Sequence, residues 1–237
     1  MDLSERLYAV AGLVTPGNRL ADVGTDHGYI PIYLIEQGKI PHGIAMDVNR
    51  GPLERAREHI AQFGLEEQIE TRLSDGLENL KAGEADTVVI AGMGGALTVR
   101  ILERGLSLLP TVRELILQPQ SELAKVRRWL WEHDFAIEDE DMVKEDGKYY
   151  PMMRVKGGQR TPALSREELQ YGPILLEKRH PVLREYLLWE RGIKEAILEQ
   201  IQCCGGKKTE GRRQEVQEAL ERNARALRKF DEHGGGI

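Results

Sequence analysis

The stretch Leu20-Ala21-Asp22-Val23-Gly24-Thr25-Asp26-His27-Gly28-Tyr29-Ile30-Pro31 decides the fold. An apolar run that ends at Asp22 is followed by glycines at positions 24 and 28 and then by a new amphipathic segment. This pattern predicts a strand, a tight turn and the N-terminus of a helix. Glycine has no Cβ, so it lets the backbone fold back sharply and approach a ligand closely. The stretch therefore predicts the strand–turn–helix unit of a mononucleotide-binding fold.

Two carboxylates give this turn a charge that phosphate ligands disfavour. The N-terminus of a helix attracts anions, because its N–H groups and its dipole carry partial positive charge. Asp26 lies in the middle of the turn and Asp22 precedes it, so a pyrophosphate would be repelled there. S-adenosylmethionine carries a sulfonium, an ammonium and one carboxylate, so acidic neighbours cost it little or help. The turn favours such a cationic cofactor, although the same glycine spacing also occurs in ordinary tight turns.

The composition is that of a globular protein with a sizeable core. The chain has 237 residues, of which 41% are hydrophobic. It contains no run of roughly 18 apolar residues and no secretory leader, so we expect a cytoplasmic protein without a membrane span. The only cysteines, Cys203 and Cys204, are adjacent and lack the spacing of metal ligands or of a disulfide framework. We therefore expect reduced thiols and no metal site.

Charge is distributed unevenly along the chain. Residues 160–237 contain 15 Lys and Arg against 13 Asp and Glu, whereas residues 1–159 contain 18 against 26, so the net charges are +2 and −8. The overall net charge of −6 argues against a simple basic nucleic-acid binder. A mildly basic C-terminal part can still contact RNA, because phosphate binding depends on nearby charge more than on the total.

Apolar runs alternate with helical periodicities over residues 1–158, which predicts an α/β fold with a parallel sheet and ligands at the carboxyl ends of its strands. The predicted strands cover residues 19–23, 42–47, 69–73, 87–90, 114–117, 135–139 and 150–155, and the predicted helices cover residues 3–14, 31–37, 53–63, 96–102 and 121–131. Gly157-Gly158 marks the expected boundary. On both sides of Gly205-Gly206, apolar residues recur at helical spacing, which predicts an antiparallel helical hairpin, a coiled coil, over residues 159–237.

Acidic residues and a second glycine loop follow the predicted strands. Asp47 ends the second strand, where a carboxylate can accept hydrogen bonds from both ribose hydroxyls of a nucleoside. Asp75 follows the third strand, in position to meet an adenine amino group. Gly92-Met93-Gly94-Gly95 follows the fourth strand, where a reacting methyl group would lie. This ordered set is the layout of Rossmann-like class I methyltransferases.

Six motifs carry a closer resemblance: Leu3-Ser4-Glu5-Arg6-Leu7, the stretch from Asp22 to Pro31, Gly51-Pro52-Leu53, Ser74-Asp75-Gly76-Leu77, Ala91-Gly92-Met93-Gly94-Gly95 and Gln118-Pro119. Together they resemble the bacterial tRNA (adenine-N1)-methyltransferases that modify adenosine 22. The resemblance covers residues 1 to about 157 closely, and a seven-stranded, mostly parallel sheet with a helical hairpin behind it is the family's arrangement. Two positions depart from the family: Gly28 stands where alanine is frequent, and Gln120 where asparagine usually follows the Gln-Pro pair.

The resemblance implies methyl transfer from S-adenosylmethionine to N1 of adenosine 22 in tRNA. Adenine N1 has an in-plane lone pair and is unprotonated near pH 7, so alignment supplies most of the catalysis without a strong base. The product ring is cationic, and Asp26 is the candidate acid that stabilises the developing charge. A carbonyl at Gly92 or Met93 could accept a hydrogen bond from the exocyclic amine of the extruded base.

The predicted site contains residues of two kinds. The predicted catalytic residues are Asp26, Gly92 and Met93, and the predicted cofactor-binding residues are Arg6, Asp22, Gly24, Thr25, His27, Gly28, Asp47, Val48, Ser74, Asp75 and Gly76. The resemblance places Arg6 near the carboxylate and methionine end of the cofactor. We expect tRNA as the partner, with no metal and no membrane, and a monomeric protein.

Simpler roles stay open for some of these residues. Asp22 can serve only the backbone donors of its turn, and His27 can pack beneath the cofactor instead of transferring a proton. Tyr29 can belong to the core, and Tyr149 and Tyr150 can belong to a strand or stack on a base. The cations of the hairpin alternate with glutamates, so a solvated surface is the simpler interpretation, and contact with tRNA is the more specific hypothesis. They are Arg212, Arg213, Arg222, Arg225, Arg228 and Lys229.

Two other functions stay open at this point. One keeps the cofactor and changes the substrate to another RNA, such as ribosomal RNA, or to a small molecule. The other is a cofactor-dependent RNA-binding protein without turnover. Transfer of a labelled methyl group to tRNA separates the enzyme from the binding protein, because binding alone leaves no label.

Overall fold

The computed structural model describes residues 1–158, 161–203 and 210–231. The chain divides into two compact units, Met1–Ala163 and Leu164–Ile237. The expected boundary at residue 158 lies just before this division, and the functional roles of the two parts stay a prediction. Gly205-Gly206 and Cys204 lie outside the described residues, as does the side chain of Cys203.

The first unit alternates strands and helices. Its strands are β1 (Leu20–Val23), β2 (Gly43–Asp47), β3 (Ile69–Leu73), β4 (Thr87–Met93), β5 (Glu114–Pro119), β6 (Phe135–Glu145) and β7 (Lys148–Gly157). Its helices are α1 (Glu5–Leu13), α2 (Tyr29–Glu36), α3 (Arg50–Gln62), α4 (Gly95–Arg104) and α5 (Leu123–Glu132). A short 3₁₀ turn at Leu109–Thr111 precedes β5.

The strands form one seven-stranded sheet in the order β3-β2-β1-β4-β5-β7-β6. The first five strands in this order run parallel, and β7 is antiparallel to both β5 and β6. The predicted mostly parallel, seven-stranded, Rossmann-like sheet is therefore confirmed. Because β1 and β4 are neighbours while their chain connections leave in opposite directions, a crevice opens at their carboxyl ends, where ligands of such folds bind.

Side chains alternate between two apolar cores, one on each face of the sheet. Leu20 packs with residues of α1, α2 and α3, whereas the next residue, Ala21, packs with residues of α4 and α5 on the opposite face. The same alternation in β4 separates Val89 from its neighbours Val88 and Ile90. Both faces of the central strands are therefore covered by helices, which explains why these strands consist almost entirely of apolar residues.

Several strands are longer than predicted. β4 continues beyond Ile90 through Met93, because Met93 still pairs with Pro119 of β5 after an irregularity at Gly92, where φ is +78°. Gly92 and Met93 are therefore the last residues of a strand and not part of a loop. β6 and β7 are also longer than predicted, since a two-residue turn at Asp146-Gly147, with φ values of +49° and +73°, joins them as a hairpin.

The second unit is helical. Its helices are α6 (Arg166–Tyr171), α7 (Pro173–Glu177), α8 (Pro181–Cys203) and α9 (Glu210–Asp231). The long helices α8 and α9 are antiparallel, because Asn223 bonds to Leu187 while Val216 shares a groove with Ile197. The sequence predicted these two helices but not the short helices α6 and α7.

Within the described ranges, none of the helices is both long enough and apolar enough to cross a bilayer. The same residues contain no group of three or more His, Cys, Asp or Glu side chains arranged to hold a metal ion.

Candidate active site

The turn between β1 and α2 is held open by two glycines in the left-handed region. Gly24 has φ of +76°, and a Cβ at this position would collide with Cε of Met93. The N–H groups of Gly24 and Thr25 both donate to the carbonyl of Met46, at 2.8 and 2.9 Å, which fixes the turn to β2. Gly28 has φ of +70° at the N-cap of α2. Both positions therefore need glycine, as the sequence pattern predicted.

Asp22 is a buried carboxylate at the base of this turn. Its residue is only 4% exposed, and the hydroxyl of Thr25 donates to Oδ2 over 2.7 Å. Burial, with smaller contributions from the negative charges of Asp26 and Asp47, raises the pKa of Asp22 from 3.8 to about 6, against the opposing effect of the Thr25 bond. Thr25 is itself 2% exposed, so it orients Asp22 from within the fold.

A cavity of about 190 Å³ opens beside Asp22 at the ends of β1, β4 and β5; we call it the strand-end cavity. It is lined by Arg6, Leu7, Asp22, Gly24, Asp26, Tyr29, Ile30, Ala91, Gly92 and Gln120. The structure thus brings together five of the predicted site residues, with two carboxylates and one guanidinium among them. Such a set complements a ligand that carries both cationic groups and a carboxylate.

Arg6 reaches this cavity from α1 and is held by Gln118 of β5. Nη1 of Arg6 donates to Oε1 of Gln118 over 3.1 Å, and the N–H of Gly92 donates to the same oxygen over 3.0 Å. The guanidinium also lies 5.7 Å from the ring centroid of Tyr150. Gln118 is fully buried, so the position of Arg6 is set by the sheet.

Asp26 and His27 face a different environment from Asp22. The side chain of Asp26 is 75% exposed, and Oδ1 lies 3.4 Å from Nε2 of His27. The His27 ring stacks on Tyr29 at 5.2 Å and lies 5.0 Å from His59, whose Nδ1 donates to the carbonyl of His27 over 3.2 Å. His27 is not among the residues that line the cavity, whereas Tyr29 is. This arrangement favours a packing role for His27 and a ligand-facing role for Tyr29.

The remaining predicted residues form a second group, the acidic edge, at the ends of β2 and β3. It comprises Asp47, Val48, Ser74, Asp75 and Gly76, none of which lines the strand-end cavity. Asp47 accepts from the N–H of Asn49 over 2.7 Å, and Asp75 pairs with Arg104 over 2.6 Å.

The other members of the acidic edge differ in exposure. The Ser74 hydroxyl is buried and donates to the Gly76 carbonyl over 2.9 Å, so it shapes the loop. Gly76 has φ of +62°, which this loop conformation requires. Val48 is 57% exposed beside Asp47 and offers an apolar surface at this edge.

Sequence reasoning missed several residues that line the cavity. Leu7, Ile30 and Ala91 carry no chemical signal, because apolar residues at these positions look like ordinary core residues. Gln120 was visible in the sequence only as a departure from the family pattern, and Gln118 only as half of a Gln-Pro motif. The pairing of β4 with β5, which the sequence alone does not show, brings Gln120 to the cavity and Gln118 within reach of Arg6.

Comparison with known proteins agrees with this geometry. The family model described as tRNA (adenine(22)-N(1))-methyltransferase matches residues 20–225. The protein of that name from Bacillus subtilis (strain 168) is 35% identical over 238 residues, which cover 99% of this chain and 99% of the relative. The chain belongs to the tRNA (adenine(22)-N(1))-methyltransferase family.

Solved structures of this family are similar along nearly the whole chain. Sp1610 of Streptococcus pneumoniae, solved in complex with S-adenosyl-L-methionine, has a TM-score of 0.86 at 36% identity and covers 95% of this chain and 100% of its own. M. capricolum TrmK, solved with the cofactor product S-adenosyl-homocysteine, has a TM-score of 0.84 at 28% identity, with coverages of 96% and 98%. The family predicted from the sequence motifs is thus confirmed, and its methyltransferase activity sets aside the alternative of an RNA-binding protein without turnover.

Proposed function

We propose that this chain transfers the methyl group of S-adenosylmethionine to N1 of adenosine 22 in tRNA, with the strand-end cavity as the place of reaction. The observation that carries the proposal is the composition of that cavity: a buried carboxylate, an exposed carboxylate and a fixed guanidinium around a glycine turn. Family membership indicates tRNA as the substrate and adenosine 22 as the methylated position, because the family model and a relative similar over its full length are tRNA (adenine(22)-N(1))-methyltransferases.

The residues of the cavity fit S-adenosylmethionine by charge. The cofactor supplies an electrophilic methyl group on a sulfonium, together with an ammonium, a carboxylate and an adenosine. Arg6 would bind the carboxylate, and ionised Asp22 would bind the ammonium. Gly24 lines the cavity without a side chain of its own, and Cε of Met93 packs where a Cβ at this position would lie.

The acidic edge would hold the nucleoside half of the cofactor. Asp47 would accept from the ribose hydroxyls, Asp75 would accept from the adenine amino group, and Val48 would cover the ring with its exposed side chain. They lie at the ends of β2, which is the neighbour of β1, and of β3 beyond it. This position supports the division, because ligands of doubly wound sheets lie across the strand ends.

The target adenine would enter the cavity with its N1 lone pair directed at the methyl group. No proton has to be removed before attack, so the protein contributes mainly alignment. The methylated ring is cationic, and Asp26 would stabilise it as charge develops. We expect Asp26→Ala to lower the single-turnover rate while sparing tRNA affinity. Quenched-flow measurement with saturating enzyme checks this, and an unchanged rate would remove Asp26 from the reaction.

The test of the function itself is the identity and position of the product. Unmodified tRNA is incubated with the protein and S-adenosylmethionine labelled with tritium in its methyl group, then digested and analysed by mass spectrometry. The expected product is N1-methyladenosine at position 22. Label on ribosomal RNA or on a small molecule, and none on tRNA, would favour the alternative substrates instead.

The helical hairpin would help to grip tRNA, although many of its cations are paired within the second unit. Arg212 lies 2.9 Å from Glu215, and Arg225 lies 2.7 Å from Glu167. Arg228 is exposed in α9 and has no carboxylate within 4.0 Å in the described part of the chain, so it is the stronger candidate for a phosphate contact. Arg228→Glu should weaken tRNA binding and reduce its salt dependence, with Arg128→Glu on α5 as the matched control.

The cellular setting follows from the substrate. We place the enzyme in the cytoplasm, where bacterial tRNA is found, and we expect it to act as a monomer. Sedimentation equilibrium at micromolar concentration measures the oligomeric state, and a mass close to 26.8 kDa is the expected result.

A further inference from the structure

Gln120 places an amide side chain at the mouth of the strand-end cavity. The residue directly follows β5, is exposed, and lines the cavity together with Arg6, Asp26 and Gly92. We propose that Gln120 is the specificity-determining residue that reads the Hoogsteen edge of the target adenine, with its oxygen accepting from the exocyclic amine and its nitrogen donating to N7. This inference rests on the proposed methylation of adenine N1.

The chemistry of the base restricts where the enzyme can read it. Transfer to N1 requires that nitrogen to be unobstructed and directed at the methyl group, so N1 cannot also serve as an acceptor for the protein. The groups left to distinguish adenine are then the N6 amine and N7, which lie side by side on the other edge. A glutamine or asparagine amide matches this pair with two parallel hydrogen bonds.

Of the ten residues that line the cavity, Gln120 alone can make both bonds with one planar group. Arg6 has only donors, whereas the carboxylates of Asp22 and Asp26 have only acceptors when ionised. Tyr29 has a single hydroxyl. An N6 amine needs an acceptor and N7 needs a donor, so only the amide satisfies the two neighbouring atoms together.

The backbone of Gln120 is fixed where the reaction would take place. Its N–H donates to the carbonyl of Met93 over 2.8 Å, and the Met93 side chain covers Gly24 of the glycine turn. Nε2 of Gln120 lies 3.9 Å from the position that a Cβ on Gly92 would take, so the amide extends over the end of β4. Within the described residues its side-chain amide forms no hydrogen bond, which leaves both of its functions available to a ligand.

The experiment compares two tRNAs that differ at one atom. One carries adenosine at position 22, and the other carries 7-deazaadenosine, in which C–H replaces N7 and the amine is retained. Because loss of N7 also makes N1 more basic, the comparison is made between enzyme variants and not between tRNAs alone. The readouts are the single-turnover rate and the dissociation constant of each tRNA in the presence of S-adenosylhomocysteine, where no transfer occurs.

Gln120→Ala should lower kcat/KM on adenosine tRNA by roughly 5- to 150-fold, the range that a bidentate amide–adenine contact contributes. In the same variant, loss of N7 should no longer cost the contact that it costs the wild-type enzyme, so only the effect of the more basic N1 should remain. Gln120→Glu keeps an acceptor for the amine but turns a second oxygen toward the N7 lone pair. It should therefore prefer the 7-deaza tRNA, the opposite of the wild-type preference.

Gln62→Ala is the matched control, because Gln62 is exposed at the end of α3 and does not line the cavity. Gln120→Ala and Gln120→Glu should both fold, because the side chain is exposed and the backbone hydrogen bond of Gln120 does not depend on it. Calorimetric binding of S-adenosylmethionine verifies that they do. If Gln120→Ala lowered the single-turnover rate by the same factor on both tRNAs, relative to the wild type, the inference about Gln120 would be overturned and the proposed function would stand. Absence of N1-methyladenosine with any variant and with wild type would instead overturn the proposed function.

Discussion

Asp22 of the strand-end cavity and the carboxylates of the acidic edge are held in opposite ways. In the cavity, Asp22 is 4% exposed and has the Thr25 hydroxyl as a side-chain donor. At the acidic edge, Asp75 has a side chain 48% exposed and is paired with Arg104, while Asp47 is partly exposed and bonded to a backbone N–H. A buried charge interacts with a bound cation through little solvent, whereas an exposed one is screened. Cofactor affinity should therefore depend more on the cavity than on the edge.

Replacement of Asp22 tests the cavity side of this comparison and should have the largest effect. Asp22→Asn keeps an oxygen for the Thr25 hydroxyl but removes the charge, so we expect the dissociation constant of S-adenosylmethionine to rise about 100-fold, toward the upper end for hydrogen bonds to charged groups. Isothermal titration calorimetry measures it. Wild-type affinity should also increase as the pH rises through about 6, where Asp22 ionises, and the variant should lack this increase.

Stability measurements provide the control for this variant. The native pKa of Asp22, about 6, lies above its ordinary value of 3.8, so the unfolded carboxyl ionises first as the pH rises. The free energy of unfolding of the wild type should therefore fall by roughly 3 kcal/mol between these pH values, at about 1.36 kcal/mol per pKa unit. Asp22→Asn avoids that loss and should be the more stable protein at pH 7. Unchanged cofactor affinity in this stable variant would remove Asp22 from the site.

Replacement of Asp47 tests the carboxylate of the acidic edge that is bonded to a backbone N–H and not to an arginine. Asp47→Ala should raise the dissociation constant about tenfold, since the variant loses charged hydrogen bonds to ribose of about 1.5 kcal/mol. Asp47→Asn is the matched variant, because it retains an acceptor for the Asn49 N–H and separates the local turn from ligand binding. Calorimetry on both variants checks the prediction. An effect of Asp47→Ala larger than that of Asp22→Asn would reverse the ranking of the two regions.

The sequence predicted the sheet and the first turn well because their signals are local. Glycines at positions 24 and 28 are required by positive φ values, and the apolar run of Thr87 to Ile90 matches a strand buried on both faces. The continuation of β4 through Met93 was missed, because glycine normally ends a strand and the pairing with β5 that overrides it depends on residues far along the chain. The helices α6 and α7 are too short to show a periodicity.

For the site, the sequence predicted which charged residues belong to it, but not how buried they are or which residues they pair with. Asp22 and Asp26 look equivalent four residues apart, yet one is 4% exposed as a residue and the other has a side chain 75% exposed. That difference arises from the packing of Thr25 and the neighbouring strands, which a linear pattern does not record. The partner of Asp75 was also hidden, since Arg104 lies at the end of α4 and reaches the loop after β3 only in the folded chain.

The ion pair between Asp75 and Arg104 gives the smallest expected effect and the finest test of the comparison. Both side chains are 48% exposed, so solvent screens their attraction and the pair is worth at most about 1 kcal/mol. Asp75→Ala should weaken cofactor binding by no more than about fivefold for the same reason. Arg104→Met should leave affinity unchanged or strengthen it slightly, because Asp75 then no longer shares its oxygens with the guanidinium. If Arg104→Met instead weakened binding as much as Asp47→Ala, the arginine would itself contact the cofactor, and the acidic edge would have to be described as a mixed-charge surface.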